Sequence, residues 1–153
     1  MEKGVTFSPD LSGKALRFGI VVARWNAICT TALKEQIIRG LQNRGVEEKD
    51  IVIYEVPGSY ELVYGAKRLI EKENVDAIIP IGVLIKGETM HFEYISDAVT
   101  RGCMDLQMQK NIPIIFGILT CLNQEQALAR SVGEKSHGDS WAATAIEMAC
   151  LGE

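Results

Sequence analysis

No stretch of this sequence approaches the roughly 20 consecutive apolar residues that a membrane helix needs, and Met1 to Lys14 lacks the apolar segment of a signal peptide. A cytoplasmic protein is therefore expected. The four cysteines, Cys29, Cys103, Cys121 and Cys150, stand too far apart for a zinc or dithiol motif, so buried or half-buried thiols are expected. Histidine is scarcer still. Neither His91 nor His137 has a second histidine or a cysteine at ligand spacing, which leaves no support for a metal site. Positive charge is not in surplus: the formal charge is -4 and no basic stripe is present, which excludes an electrostatic nucleic-acid binder. Gly82 and Gly87 form neither a G-x-G-x-x-G nor a Walker loop, so no dinucleotide site is indicated. Internal repeats and low-complexity segments are absent.

What is present is a strongly apolar centre. Ala77 to Ile85 is a nine-residue run rich in Ile and Val, the habit of a strand buried on both faces of a parallel sheet. Gly87 closes it. Beyond it the pattern becomes helical, with Phe92, Ile95, Val99 and Met104 as inward positions, so Glu88 to His91 is expected to open a helix running to about Gln109. A helix start exposes backbone N–H groups and the positive end of the dipole, and so favours an anion such as phosphate. Lys86, Thr89 and His91 stand there with a cation, a hydroxyl and a group that titrates near neutrality.

The other segments repeat the alternation. Arg17–Ala23 reads as the first strand. Asn26 caps a helix with Ile28, Leu33, Ile37, Ile38 and Leu41 on its apolar stripe, ended by Gly45. Ile51–Val56 is the next strand, and Ser59 caps a helix carrying Leu62, Val63, Ala66, Leu69 and Ile70. Pro113–Leu119 is the fourth strand. Asn123-x-x-Gln126 has capping-box form, and Asp139 or Ser140 caps a last helix, Trp141 to Cys150. With 153 residues, 47% of them hydrophobic, the chain fits a single domain at 17–153 behind an arm at 1–16, lying on the surface or on a neighbour. The expected fold is α/β, a three-layer α/β/α sandwich of flavodoxin-like form: a four-stranded parallel sheet with helices on both faces.

In such sheets ligands bind outside the carboxyl ends of the strands. Arg24-Trp25-Asn26, Pro57-Gly58-Ser59, Lys86 to His91 and Thr120-Cys121-Leu122 all fall there and are expected on one rim. Trp25 is either a stacking platform for a heterocycle or a core or interface aromatic. Gly58 admits a ligand to the backbone, Ser59 is either a cap or a binding group, and Glu61 is an acceptor suited to hydroxyls. His91 is either structural or a proton carrier. Arg130, in a last helical turn, is either an anion ligand or a partner of the helix dipole.

Ala23 to Asn26, Val56 to Leu62 (with Ser59, Tyr60 and Glu61), Ile81 to Tyr94, Phe116 to Thr120 and Glu125 to Arg130 together closely resemble the 6,7-dimethyl-8-ribityllumazine synthase family. The resemblance runs from about Arg17 to Met148, and Trp25 is similar to the fungal members where many bacterial ones have Phe. It implies condensation of 5-amino-6-(D-ribitylamino)uracil with 3,4-dihydroxy-2-butanone 4-phosphate, the penultimate step of riboflavin synthesis, with no metal or organic cofactor. By the same resemblance Trp25 stacks on the pyrimidine beside Asn26, while Ser59 and Glu61 hold its edge and the ribityl chain, with Tyr60 between them as a further substrate-binding residue. Backbone at Leu84 and Ile85 reads the ring. Gly87, Glu88 and Thr89, with Arg130 of the adjacent subunit, seat the phosphate, and Lys86 stands beside them as a substrate-binding residue; His91 moves protons; Phe116 comes from the neighbour. The implied partners are the two small substrates and copies of the chain itself, as a homopentamer or an assembly of pentamers.

Departures from the family pattern are local. Val63 replaces a proline, Ser131-Val132 stands where Ala-Gly is usual, and the loop before the last helix is shorter than in fungal relatives, with His137 where many bacterial members have Lys. A short loop is compatible with shells, a longer one with free pentamers. The competing readings are an archaeal-type riboflavin synthase and a non-catalytic flavin-binding or shell-forming homologue.

Overall fold

The structure is a computed structural model that describes residues 4–153; the first three residues of the expected arm lie outside that range. Four strands form one parallel sheet in the order β2-β1-β3-β4: β1 (Phe18–Ala23), β2 (Ile51–Val56), β3 (Ala77–Ile85) and β4 (Gly117–Cys121). The helices are α1 (Ala27–Gln42), α2 (Leu62–Lys72), α3 (His91–Lys110), α4 (Gln124–Ala129) and α5 (Gly138–Ala149). Leu33, Ile37 and Leu41 of α1, Ala127 of α4 and Ala142 and Ile146 of α5 pack on one face of the sheet. Leu62 and Leu69 of α2 with Val99, Cys103 and Leu106 of α3 cover the other. This is the three-layer α/β fold that alternating strands and helices imply. No helix among the described residues is long and apolar enough to cross a membrane.

The central strand earns its place by burial, since Ala77 to Val83 are buried without a break, so both faces of β3 are covered. Removing a large side chain such as Ile79 or Ile81 from this layer costs about 2–5 kcal/mol. Strand β3 is also long. Its pairing with β1 ends at Val22↔Ile81, while its pairing with β4 continues to Ile85↔Cys121, so Val83 to Ile85 project past the end of β1. That overhang is the floor on which the site is built.

Several local expectations are corrected. Ile28 and Met104, expected on apolar stripes, are 71% and 57% exposed; Cys29 and Cys103 take the inward positions beside them. The fourth strand starts at Gly117, not Pro113. Only an isolated bridge, Ile78↔Ile114, precedes it, because Pro113 has no N–H to give and Gly117 N turns back to the carbonyl of Ile115 at 2.8 Å. Helix α3 begins at His91, not Glu88: the Thr89 hydroxyl accepts from His91 N at 3.4 Å, a local turn that competes with helix. Helix α5 begins at Gly138, ahead of Asp139 and Ser140, and Asp139 pairs with Arg44, in the turn after α1, at 2.7 Å.

The capping assignments divide. Gly45, at φ 95°, ends α1 as expected, with Val46 N on Leu41 O and Gly45 N on Gln42 O, the two bonds of a Schellman motif. Asn123 Oδ1 accepts from Gln126 N at 2.9 Å as the capping box requires. Asn26 and Ser59, however, make no side-chain cap: Asn26 Nδ2 bonds instead to Val83 O, and the Ser59 hydroxyl is buried beside Gly82. Of the arm, Gly4 to Asp10 is largely exposed, whereas Leu11 and Leu16 pack on the chain's own core and Gly13 N bonds to Arg44 O at 2.7 Å.

Candidate active site

A cavity of about 630 Å³ opens at the carboxyl ends of β1 and β3, lined by Trp25, Asn26, Gly58, Ser59, Tyr60, Glu61, Val83, Leu84, Ile85, His91 and Ile95. Its place follows from topology. Strand β1 has β2 on one side and β3 on the other, so the connections leaving β1 and β3 part in opposite directions and leave a crevice at the switch point.

Each wall has a local cause. Past Ala23 the chain keeps its bonds to β2, with Arg24 N on Val56 O at 2.9 Å and Trp25 N on Pro57 O at 3.1 Å, then turns sharply at Asn26 in the left-handed region, φ 60° and ψ 48°. Asparagine tolerates that conformation better than most residues. The turn leaves Asn26 Nδ2 to donate to Val83 O at 2.7 Å, replacing the ladder bond that β1 no longer supplies to the overhang of β3. Trp25 is left 72% exposed at the mouth, an indole surface available for stacking.

Across from it, Gly58 N donates to Glu61 Oε2 at 3.1 Å and Glu61 N to Gly58 O at 3.2 Å, which fixes the short 3₁₀ turn Ser59–Glu61 ahead of α2. Gly58 must be small, because a Cβ there would stand 2.9 Å from Trp25 Cδ1 and 3.3 Å from Glu61 Oε2. Ser59 is 5% exposed, and its hydroxyl has no hydrogen-bond partner among the described residues. Leaving a buried hydroxyl unpaired costs about 1–3 kcal/mol. Gly82 of β3 makes room for it, since a Cβ on Gly82 would come 2.5 Å from Ser59 Oγ.

His91 stands at the first residue of α3, exposed at the rim. Lys86 is not free at its end of the loop: its ammonium pairs with Glu93 and lies 5.8 Å from the centre of the Phe92 ring. Lys86, Gly87, Glu88 and Thr89 are exposed and line none of the cavity. Arg130 follows α4 with Nη1 on Gln126 O at 3.3 Å, and Phe116 lies on the edge ahead of β4, five residues from the strand's carboxyl end at Cys121; neither touches the cavity. Thus Trp25, Asn26, Ser59, Tyr60, Glu61, Leu84, Ile85 and His91 meet in one chain, while the phosphate-side residues and Phe116 do not join them.

Val83 and Ile95 were not singled out as site residues. The signal for Val83 lay in register: a strand longer than its neighbour offers unpaired carbonyls just where the neighbouring turn begins. No cysteine lines the cavity. Burial pushes Cys103 up to about 11 and raises Cys121, an effect that Arg130 opposes in part.

The combination of an aromatic face, a bound carboxylate, an unpaired buried hydroxyl and a histidine is suited to a heterocycle carrying hydroxyls and to proton transfer at its edge. The family described as 6,7-dimethyl-8-ribityllumazine synthase matches residues 15–153. The chain belongs to this family. Similar proteins of that name include one from Schizosaccharomyces pombe, 46% identical over 142 residues, covering 91% of this chain and 89% of the relative. One from Flavobacterium psychrophilum is 44% identical over 143 residues, covering 93% and 76%. One from Bacteroides fragilis is 43% identical over 134 residues, covering 87% and 94%. Bacterial and fungal lumazine synthases therefore match at nearly the same identity over nearly the same span.

Proposed function

We infer that this chain is a transferase of riboflavin biosynthesis, condensing 5-amino-6-(D-ribitylamino)uracil with 3,4-dihydroxy-2-butanone 4-phosphate to give 6,7-dimethyl-8-ribityllumazine, phosphate and water. The observation that carries this reading is the cavity itself, which puts Trp25, Ser59, Glu61 and His91 on one rim in a chain of this family. Trp25 stacks on the pyrimidine beside Asn26. The Ser59 hydroxyl and the Oε1 atom of Glu61, whose Oε2 is held by Gly58, take the ring edge and ribityl hydroxyls, with Tyr60 at the rim and the backbone of Leu84 and Ile85 against the ring. His91 accepts and returns protons as the 5-amino group forms an imine with the ketone, as phosphate leaves, and as the second amine closes the ring. General acid–base catalysis of this kind contributes about 10² to 10⁴ in rate. Holding the two reactants together supplies much of the remainder.

The phosphate sits on Gly87, Glu88 and Thr89 beside the start of α3, and its cation is Arg130 of the adjacent subunit. Lys86 already faces Glu93, so it supports that loop. Phe116 of a neighbour covers the ring. Sharing of this kind requires an oligomer, proposed as a pentamer or an assembly of pentamers. Its support is the family's shared site together with the large apolar side chains that one copy leaves exposed, among them Ile28, Tyr94, Met108 and Leu122. Residues 17–153 form the single catalytic domain and 1–16 its arm. The enzyme is placed in the cytoplasm, where its four free thiols match a reducing compartment.

The test is formation of the lumazine from both substrates against the unaided reaction. A folded oligomer that binds riboflavin without turning over the substrates would favour a non-catalytic flavin-binding homologue instead.

A further inference from the structure

The turn between α4 and α5 begins with Arg130, and Gln36 of α1, which lines no part of the cavity, holds it from beneath. Gln36 Nε2 donates to the carbonyl of Ser131 at 2.8 Å, and the Ser136 hydroxyl donates to Gln36 Oε1. Ser136 Oγ accepts in turn from Gly138 N at 3.3 Å. One amide thus ties both ends of the turn to α1 with its donor and its acceptor. Gly138 leaves no spare room: a Cβ there would meet Gln36 Cβ at 2.5 Å and Oε1 at 2.6 Å. Ser131 is fully buried, and its own hydroxyl donates to Ala127 O at 2.7 Å, so its carbonyl depends on Gln36. Arg130 is the residue directly before this anchor point.

We propose that Gln36 is a positioning residue for the phosphate-bearing substrate: by fixing the Ser131 carbonyl it sets the direction in which Arg130 leaves α4. The proposal rests on the phosphate role assigned to Arg130 above. Glutamine is required because the same side chain must give a hydrogen bond to a carbonyl and take one from a hydroxyl. Glutamate would set a carboxylate against the Ser131 carbonyl, and methionine would fill the space with neither group.

Two variants break the anchor by different routes, Gln36→Met from α1 and Gly138→Ala from α5, and Ser131→Ala is the control that keeps the carbonyl. Each is assayed as the assembled oligomer for kcat, for KM of each substrate and for inhibition by inorganic phosphate. In both anchor variants the KM for the butanone phosphate and the inhibition constant of inorganic phosphate rise on the order of five- to tenfold. In the same variants kcat and the KM for the pyrimidine stay within about twofold, because the cavity residues are untouched. Ser131→Ala behaves as the parent. Unchanged phosphate parameters, an equal rise in both KM values, or failure of both anchor variants to assemble overturns the proposal.

Arg130→Ala, run beside them, separates the two claims. If it weakens phosphate binding while Gln36→Met does not, only the positioning role falls; if it leaves phosphate binding intact, the assignment of Arg130 falls and the proposal with it. Should the parent show no turnover, the functional reading fails, and calorimetry with inorganic phosphate still decides the role of Gln36.

Discussion

Asn26 Nδ2 donates to the carbonyl of Val83 at 2.7 Å across 57 residues of sequence, and this bond joins the turn after β1 to the overhang of β3. It closes one side of the cavity while Asn26 itself holds a left-handed backbone. Asn26→Gly keeps the backbone and loses the bond, whereas Asn26→Ala loses the bond and adds strain. Thermal or denaturant unfolding should rank them parent, glycine, alanine, with the alanine variant about 2–3 kcal/mol below the parent. Equal stability of all three would remove the bond from the account.

Ser59→Ala should separate stability from activity. The buried hydroxyl has no partner among the described residues, so deleting it relieves a desolvation cost. We expect the variant to melt at or above the parent temperature, yet to show a several-fold higher KM for the pyrimidine, about one hydrogen bond's worth. Lower stability would mean that Ser59 serves the fold.

A site completed by two subunits predicts complementation. His91→Ala and Arg130→Ala oligomers, each nearly inactive alone, should recover activity when their subunits are mixed and reassembled. Random assortment gives roughly a quarter of sites both groups intact. No recovery despite confirmed exchange would place both residues in one chain's site.

The Arg44–Asp139 pair links the turn that ends α1 to the first turn of α5 through two hydrogen bonds of 2.7 and 3.0 Å. The hydrogen bond from Arg44 holds the Asp139 carboxyl below its usual range. A depressed pKa stabilises the fold above the unfolded-state value and loses that effect as pH falls through the folded value. Asp139 is largely exposed, so screening keeps the contribution under about 1 kcal/mol. The stability gap between parent and Asp139→Asn should be present at pH 7, narrow towards acid and shrink with salt. A gap that widened in acid would contradict the assignment.

How much of this could be read in advance depended on whether the cause was local. β3 was visible because a nine-residue apolar run has one plausible home, and the rim was visible because parallel α/β sheets bind ligands at one end. β4 was misplaced because Pro113 and Gly117 interrupt a run that is apolar throughout. Ile28 and Met104 were misassigned because apolar residues at helical spacing look alike whether they face the core or are left exposed. Asn26 and Ser59 resemble ordinary caps in sequence; only the lengths of neighbouring strands reveal why the Asn26 side chain bonds to Val83, and only the packing of Gly82 reveals where the Ser59 hydroxyl is buried. Gln36 carried no signal, since its partners lie about a hundred residues away.

The most direct test mixes the purified chain with both substrates and follows lumazine absorbance and released phosphate together, beside His91→Ala and a protein-free control. The account predicts clear acceleration by the parent, one phosphate per lumazine, and a folded, assembled His91→Ala variant slower by about 10² to 10⁴ in kcat. A parent no faster than the protein-free control, or a His91→Ala variant as fast as the parent, would contradict it.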